Sequence, residues 1–220
     1  MAQEERVLVV ERKVFEELGA FEGVTFEVSR YLGQLFSAGA PHFMLRSQAE
    51  ADAGYKQIIP YVIISCGGKY LSYVRGKRAG ESRLVGNRSI GIGGHINPAD
   101  EMPLFDSDFY ETYLAAVERE VAEEVCVEAS HTDSVVALLN DESNEVGAVH
   151  LGIVHYWTLD RPKVSRREQM ITQIGFMSVE ELEGVRDSLE TWSQLCLAKL
   201  GEMSKRAESG FGVDGISENA

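Results

Sequence analysis

"YETYLAAVEREVAEEVCVEA", residues 110–129, is the stretch whose reading decides the fold. At about 100° per residue, Tyr110, Leu114, Val117, Val121 and Val125 fall in one stripe, which predicts a helix over 110–126 with that stripe facing a core. Glu120, Glu123 and Glu124 cluster on the flank beside it, at i, i+3 and i+4. Like charges at this spacing cost roughly a few tenths of a kcal/mol per neighbouring pair. They also crowd the C-terminal end of the helix, where its dipole disfavours anions. Such a face is either simply solvated or offset by cations, and carboxylate oxygens are the donors that Mg2+ or Mn2+ prefers.

A second segment lies upstream. "SIGIGGHINPAD", residues 89–100, ends a β-like run with Gly91, Gly93 and Gly94 and then His95. Glycine lets a backbone approach a partner with no Cβ in the way. Between the first hairpin and the glycines lies a basic run, Arg75, Lys77, Arg78, Arg83 and Arg88, which suits substrate phosphates or, equally, a solvated hairpin tip.

Working outward, "QIIPYVIISCGGKYLSYVR" reads as a hairpin turning at Gly67-Gly68. "VLVV" (7–10), "SVVALLND" and "GAVHLGIVHYWTLD" read as strands. "FEVSRYLGQLF" has the spacing of an amphipathic helix, and "RSQAEADAGYK" reads as loop. Ser178 with Glu181 three residues on forms a capping-box signature, and "SLETWSQLCLAKL" reads as a C-terminal helix. His150 and His155 lie five apart on one strand and so face opposite sides. Three units are expected: an N-terminal α/β extension or cap over 1–55, a main domain over 56–200, and a flexible tail over 201–220.

The bulk numbers exclude several classes. With 35 Asp and Glu against 21 Lys and Arg, the net charge of −14 opposes nucleic-acid binding. No run of about 18 apolar residues is present, so no membrane span is expected, and the charged start is no secretory signal. Cys66, Cys126 and Cys196 lack CxxC spacing and read as buried thiols in a reducing cytoplasm.

Glu111, seven residues, then Arg119-Glu120-Val121-Ala122-Glu123-Glu124 and Val127 resemble the later part of the Nudix box. That pattern is glycine, five residues, Glu, seven residues, Arg-Glu, an aliphatic residue, any residue, Glu-Glu, any residue, glycine, aliphatic. The resemblance covers about residues 57–200, and "QIIPY", "GIGGH" and the long loop are similar to the family's predicted-phosphoesterase branch. It implies an α/β/α sandwich around a mixed sheet, with the N-terminal α/β extension added. It also implies hydrolysis of a diphosphate bond in a nucleoside diphosphate linked to another group. Glu120, Glu123 and Glu124 with the Gly94 carbonyl would hold Mg2+ or Mn2+. Glu111 and Arg119 would be structural, Arg119 pairing with box carboxylates. Glu123, Glu124 or an acid outside the box such as Glu168 would act as base. The partner implied is a small diphosphate, and dimers are common in the family. The alternative is a non-catalytic nucleotide sensor or interaction module on the same fold. Two departures stand out: sixteen residues separate Gly94 from Glu111, read as an eleven-residue insertion, and Cys126 replaces the box's last glycine.

Overall fold

The computed structural model describes residues 4–76, 86–100, 109–167 and 171–210. The N-terminal segment alternates β1 (Arg6–Glu11), α1 (Arg12–Glu17), β2 (Gly23–Thr25), α2 (Val28–Leu35), β3 (Pro41–Leu45) and α3 (Arg46–Ala51). The hairpin β4 (Tyr55–Cys66) and β5 (Lys69–Arg75) follows, then β6 (Arg88–Ser89) and β7 (Gly91–Gly93). Helix α4 (Phe109–Glu124) runs directly into β8 (Val125–Val127). After β9 (His131–Asn140), α5 (Glu145–Ala148), β10 (His150–Leu159), β11 (Val164–Arg166) and β12 (Ile171–Met177) come α6 (Val179–Glu183), α7 (Thr191–Leu197) and α8 (Leu200–Glu208).

Strand β4 organises the sheet. Along one side it runs parallel to β10, from the His150–Gln57 pair to the Thr158–Ser65 pair. Along the other side its antiparallel partner changes: β1 near Gln57, β7 at Tyr61–Ile63, and β5 at the hairpin. The hairpin closes through Gly67 and Gly68 at φ +57° and +75°, left-handed conformations that glycine adopts freely. The exchange of partners brings the glycine run to the middle of the sheet, which is mixed and holds ten strands among the described residues.

Alternation along β4 then builds a core on each face. Ile58, Val62 and Ile64 pack with Tyr113, Val117 and Val121 of α4. Tyr61 and Ile63 pack with Leu182, Leu197, Leu200 and Met203. This is the expected α/β/α sandwich. Ser178 caps α6 as its spacing predicts, accepting from the Glu181 N–H at 3.2 Å while its own N–H donates to the Glu181 carboxylate at 2.6 Å. No helix among the described residues is long and apolar enough to cross a membrane.

The structure corrects several expectations. The first 55 residues, expected as an extension or cap packed on the core, join it through the sheet: β1 pairs with β4 and β2 with β9. The Leu8 N–H also donates to the Ile96 carbonyl at 2.9 Å, tying β1 to the segment just past the glycines. "RSQAEA" is helix rather than loop; its burial rests on Ala49 alone, packed against Val7 and Val9, too little to print a periodicity. The expected tail does not begin at 201, because Leu200 and Met203 anchor α8 through Glu208; residues 211–220 lie outside the described part. On α4 the buried line runs through Tyr113, Ala116, Val117 and Val121, with Tyr110 and Leu114 only half-buried. Only Cys196 is a buried thiol; Cys66 is half-buried and Cys126 exposed. Cys126 needs no left-handed turn, since the chain passes from α4 straight into β8, and Gln173 is the one non-glycine residue with positive φ among those described.

Candidate active site

Three elements meet at the C-terminal half of α4: the helix, the glycine segment after β7, and the end of β5. Arg119 is the hub. Its Nε and Nη2 donate to the two oxygens of Asp100 at 2.6 and 3.0 Å, a bidentate pair. Nη2 also donates to the His95 carbonyl at 2.9 Å, and Nη1 reaches Glu120 at 2.9 Å and Glu123 at 3.2 Å. One guanidinium therefore fixes the loop after Gly94 and two box carboxylates in one frame. The Asp100 hydrogen bond leads the contacts that hold Arg119 above its ordinary pKa.

Asp100 is the residue that sequence reasoning missed. It is nearly inaccessible, and its carboxylate also accepts from the Asn97 N–H at 2.8 Å. Five residues separate it from Gly94, the box spacing, with Asp in place of Glu. Glu111, assigned that place by its distance from Arg119, is exposed in the first turn of α4 and is not among Arg119's partners. The extra residues thus fall after Asp100, between it and the helix, rather than just after the glycines.

The glycines are explained by what would meet a Cβ. At Gly94 it would lie 2.0 Å from Glu120 Oε2, so that carboxylate rests directly on the Gly94 backbone. At Gly93 it would lie 2.5 Å from the Pro60 carbonyl, an atom that cannot move aside. Burial pushes the Glu120 carboxyl above the usual carboxylate range, against the opposing pull of Arg119. Glu124 is almost buried with Arg75 Nη1 at 3.9 Å, and Glu123 is exposed.

Arg75 also lies 3.6 Å from Glu190. Glu190 is itself held by Ser89 Oγ at 2.6 Å and Ser193 Oγ at 3.3 Å. Both Arg75 and Glu190 line a cavity of about 560 Å³ with Gly93, Gly94, His95 and Trp192. Trp192 packs edge-on against Tyr61 at 5.5 Å. Burial, then the charge of Arg46, push the His95 imidazole down to about 3, so it is neutral at pH 7; its ring lies 5.6 Å from that of His150. His155 faces the other way, toward Tyr113.

Of the other basic candidates, Arg88 is turned from the cavity toward Ser72 and Gln173, at 3.1 Å each. Arg78, Arg83 and Glu168 lie outside the described residues. Among the described residues no three acidic, histidine or cysteine side chains already converge as a cage. The donor set nonetheless suits a hard divalent ion: Glu120 is desolvated on the Gly94 backbone, Glu124 is nearly buried, and Glu123 is close by, all offering oxygen.

No protein-family model matches the chain. Protein YmaB of Bacillus subtilis (strain 168) is 35% identical over 201 residues, covering 87% of this chain and 95% of that protein. The crystal structure of Tm1382, assigned to the Nudix hydrolases, superposes with a TM-score of 0.72 at 30% identity, covering 90% of this chain and 99% of that one.

Proposed function

This chain belongs to the Nudix hydrolase superfamily as an enzyme of the pyrophosphohydrolase type, and from that premise we propose that it is a divalent-metal-dependent hydrolase. Its substrates are read as nucleoside diphosphates linked to another group, cut at the phosphoanhydride bond. The observation that carries the reading is the contact of the Glu120 carboxylate with the Gly94 backbone, beside a cavity that Arg75 and Trp192 also line.

In this reading Glu120, Glu123, Glu124 and the Gly94 carbonyl hold Mg2+ or Mn2+. When bound, the ion supplies charge neutralisation for the diphosphate and a lowered pKa for the attacking water. The chain's own residues do the rest. Arg119, locked on Asp100, keeps Glu120 and Glu123 on the glycine side of the helix. Arg75, between Glu124 and Glu190, offers a guanidinium to a phosphate oxygen. Trp192 gives the nucleobase an aromatic face. Glu123 or Glu124 takes the proton from water; Glu168 is the candidate outside the box. Three free cysteines accord with a cytoplasmic enzyme.

The test is incubation with Mg2+ or Mn2+ and a panel of nucleotide sugars, dinucleoside polyphosphates and coenzyme diphosphates, with phosphate products measured. Turnover of at least one, lost on chelation, is expected. Binding without turnover of any would overturn the enzyme reading in favour of a sensor.

A further inference from the structure

The N-terminal segment reaches the cavity through one side chain. Arg46, the first residue of α3, lines the same cavity as Gly93, Gly94 and His95. Its Nε donates to Glu50 at 2.8 Å and its Nη1 to Glu5 at 2.9 Å. Nη2 has no partner among the described residues. Both tethering carboxylates are solvent-exposed, at 47% and 43%, and Arg46 itself is 31% exposed. Exposed ion pairs of this kind contribute little, so they aim the guanidinium without using up its charge. The segment is also rigidly joined to the chain just past the glycines, since the Arg46 N–H donates to the Glu5 carbonyl and β1 is bonded to Ile96.

We propose that Arg46, together with Arg75, grips the phosphate chain of the substrate, making the N-terminal segment part of the active site. This rests on the reading above that the cavity takes a nucleoside diphosphate. A planar guanidinium with an uncommitted edge suits a phosphate oxygen better than a point charge would. Arg46 is then a binding residue supplied from outside the box.

The test measures equilibrium binding of ADP and of inorganic pyrophosphate to the full chain by calorimetry with Mn2+, so it does not depend on turnover. Arg46→Met is expected to weaken both about tenfold or more, the loss typical of a charge-assisted hydrogen bond. Arg46→Lys should recover part of that loss. The double variant Glu5→Gln/Glu50→Gln is the control for a purely structural tie; it should bind as tightly as the native chain or tighter, because the carboxylate competitors are gone. Thermal melts verify that each variant is folded. Binding within twofold of native in Arg46→Met overturns the proposal, as does equal weakening in the double variant. Native binding of pyrophosphate but not ADP would break the nucleotide reading while the Arg46 comparison stands; binding of neither would overturn both.

Discussion

Arg119 and Arg75 both stand beside the carboxylates of α4, yet they are built differently. Arg119 meets Asp100 in a bidentate pair at 2.6 and 3.0 Å, with Asp100 nearly inaccessible. Arg75 stands 3.6 Å from Glu190 and 3.9 Å from Glu124, beyond hydrogen-bond length, and its buried Nε has no hydrogen-bond partner. Short, saturated geometry is what a structural tie needs. Loose, unsaturated geometry leaves donors for something else, and Arg75 is the one that lines the cavity. Charge alone does not distinguish the two; distance and saturation do.

The largest effect that tests this contrast is on rate. Glu123→Gln and Glu124→Gln should each lower kcat by about two orders of magnitude or more, with circular dichroism and melting temperature near native. An unchanged rate in both would put the metal elsewhere. Next comes stability. Arg119→Met strands the Asp100 carboxylate and should cost about 3–5 kcal/mol in urea denaturation. Arg75→Met should cost less and instead raise KM about tenfold, as a lost charge-assisted hydrogen bond does. Equal stability losses would erase the distinction drawn here. A finer comparison separates the two acids spaced to match the box: Asp100→Asn should destabilise by about 1–3 kcal/mol, whereas Glu111→Gln should stay within about 0.5 kcal/mol.

The smallest effect is in pH dependence. His95 has its folded-state value pushed down to about 3, below the ordinary histidine value of about 6.5. Between those values the unfolded chain binds a proton that the folded chain does not, so stability is full above about 6.5 and is lost as pH falls. His95→Gln should therefore flatten the fall in melting temperature between about pH 6.5 and pH 4, with the remaining slope due to other groups.

Much of the site was legible because its chemistry is local in sequence. Glu120, Glu123, Glu124 and Arg119 share two helical turns, and the glycines announce a close backbone approach that Glu120 turns out to fill. What was not legible depends on long-range pairing. Glu111 has the right distance to Arg119 along the chain, but the bond is made by Asp100, 19 positions upstream of Arg119. Arg46 sits in a six-residue helix whose only buried residue is Ala49, so its stretch reads as polar loop. Glu190 gains meaning only once Ser89, Ser193 and Arg75 surround it. The same holds for the fold: the hairpin and capped α6 carry their own turn and cap signals, while the joining of β1 to β4 does not show in either strand alone.

The relay of neighbours along β4 has a consequence for handling the protein. A chain trimmed to start at residue 55 would keep every box residue but strip β1 from Tyr55–Gln57, leaving main-chain donors and acceptors bare on a strongly apolar strand. Such a rim invites another copy to dock there as a surrogate strand. The trimmed domain would therefore self-associate, and an inactive preparation of it would report aggregation as well as the loss of Arg46.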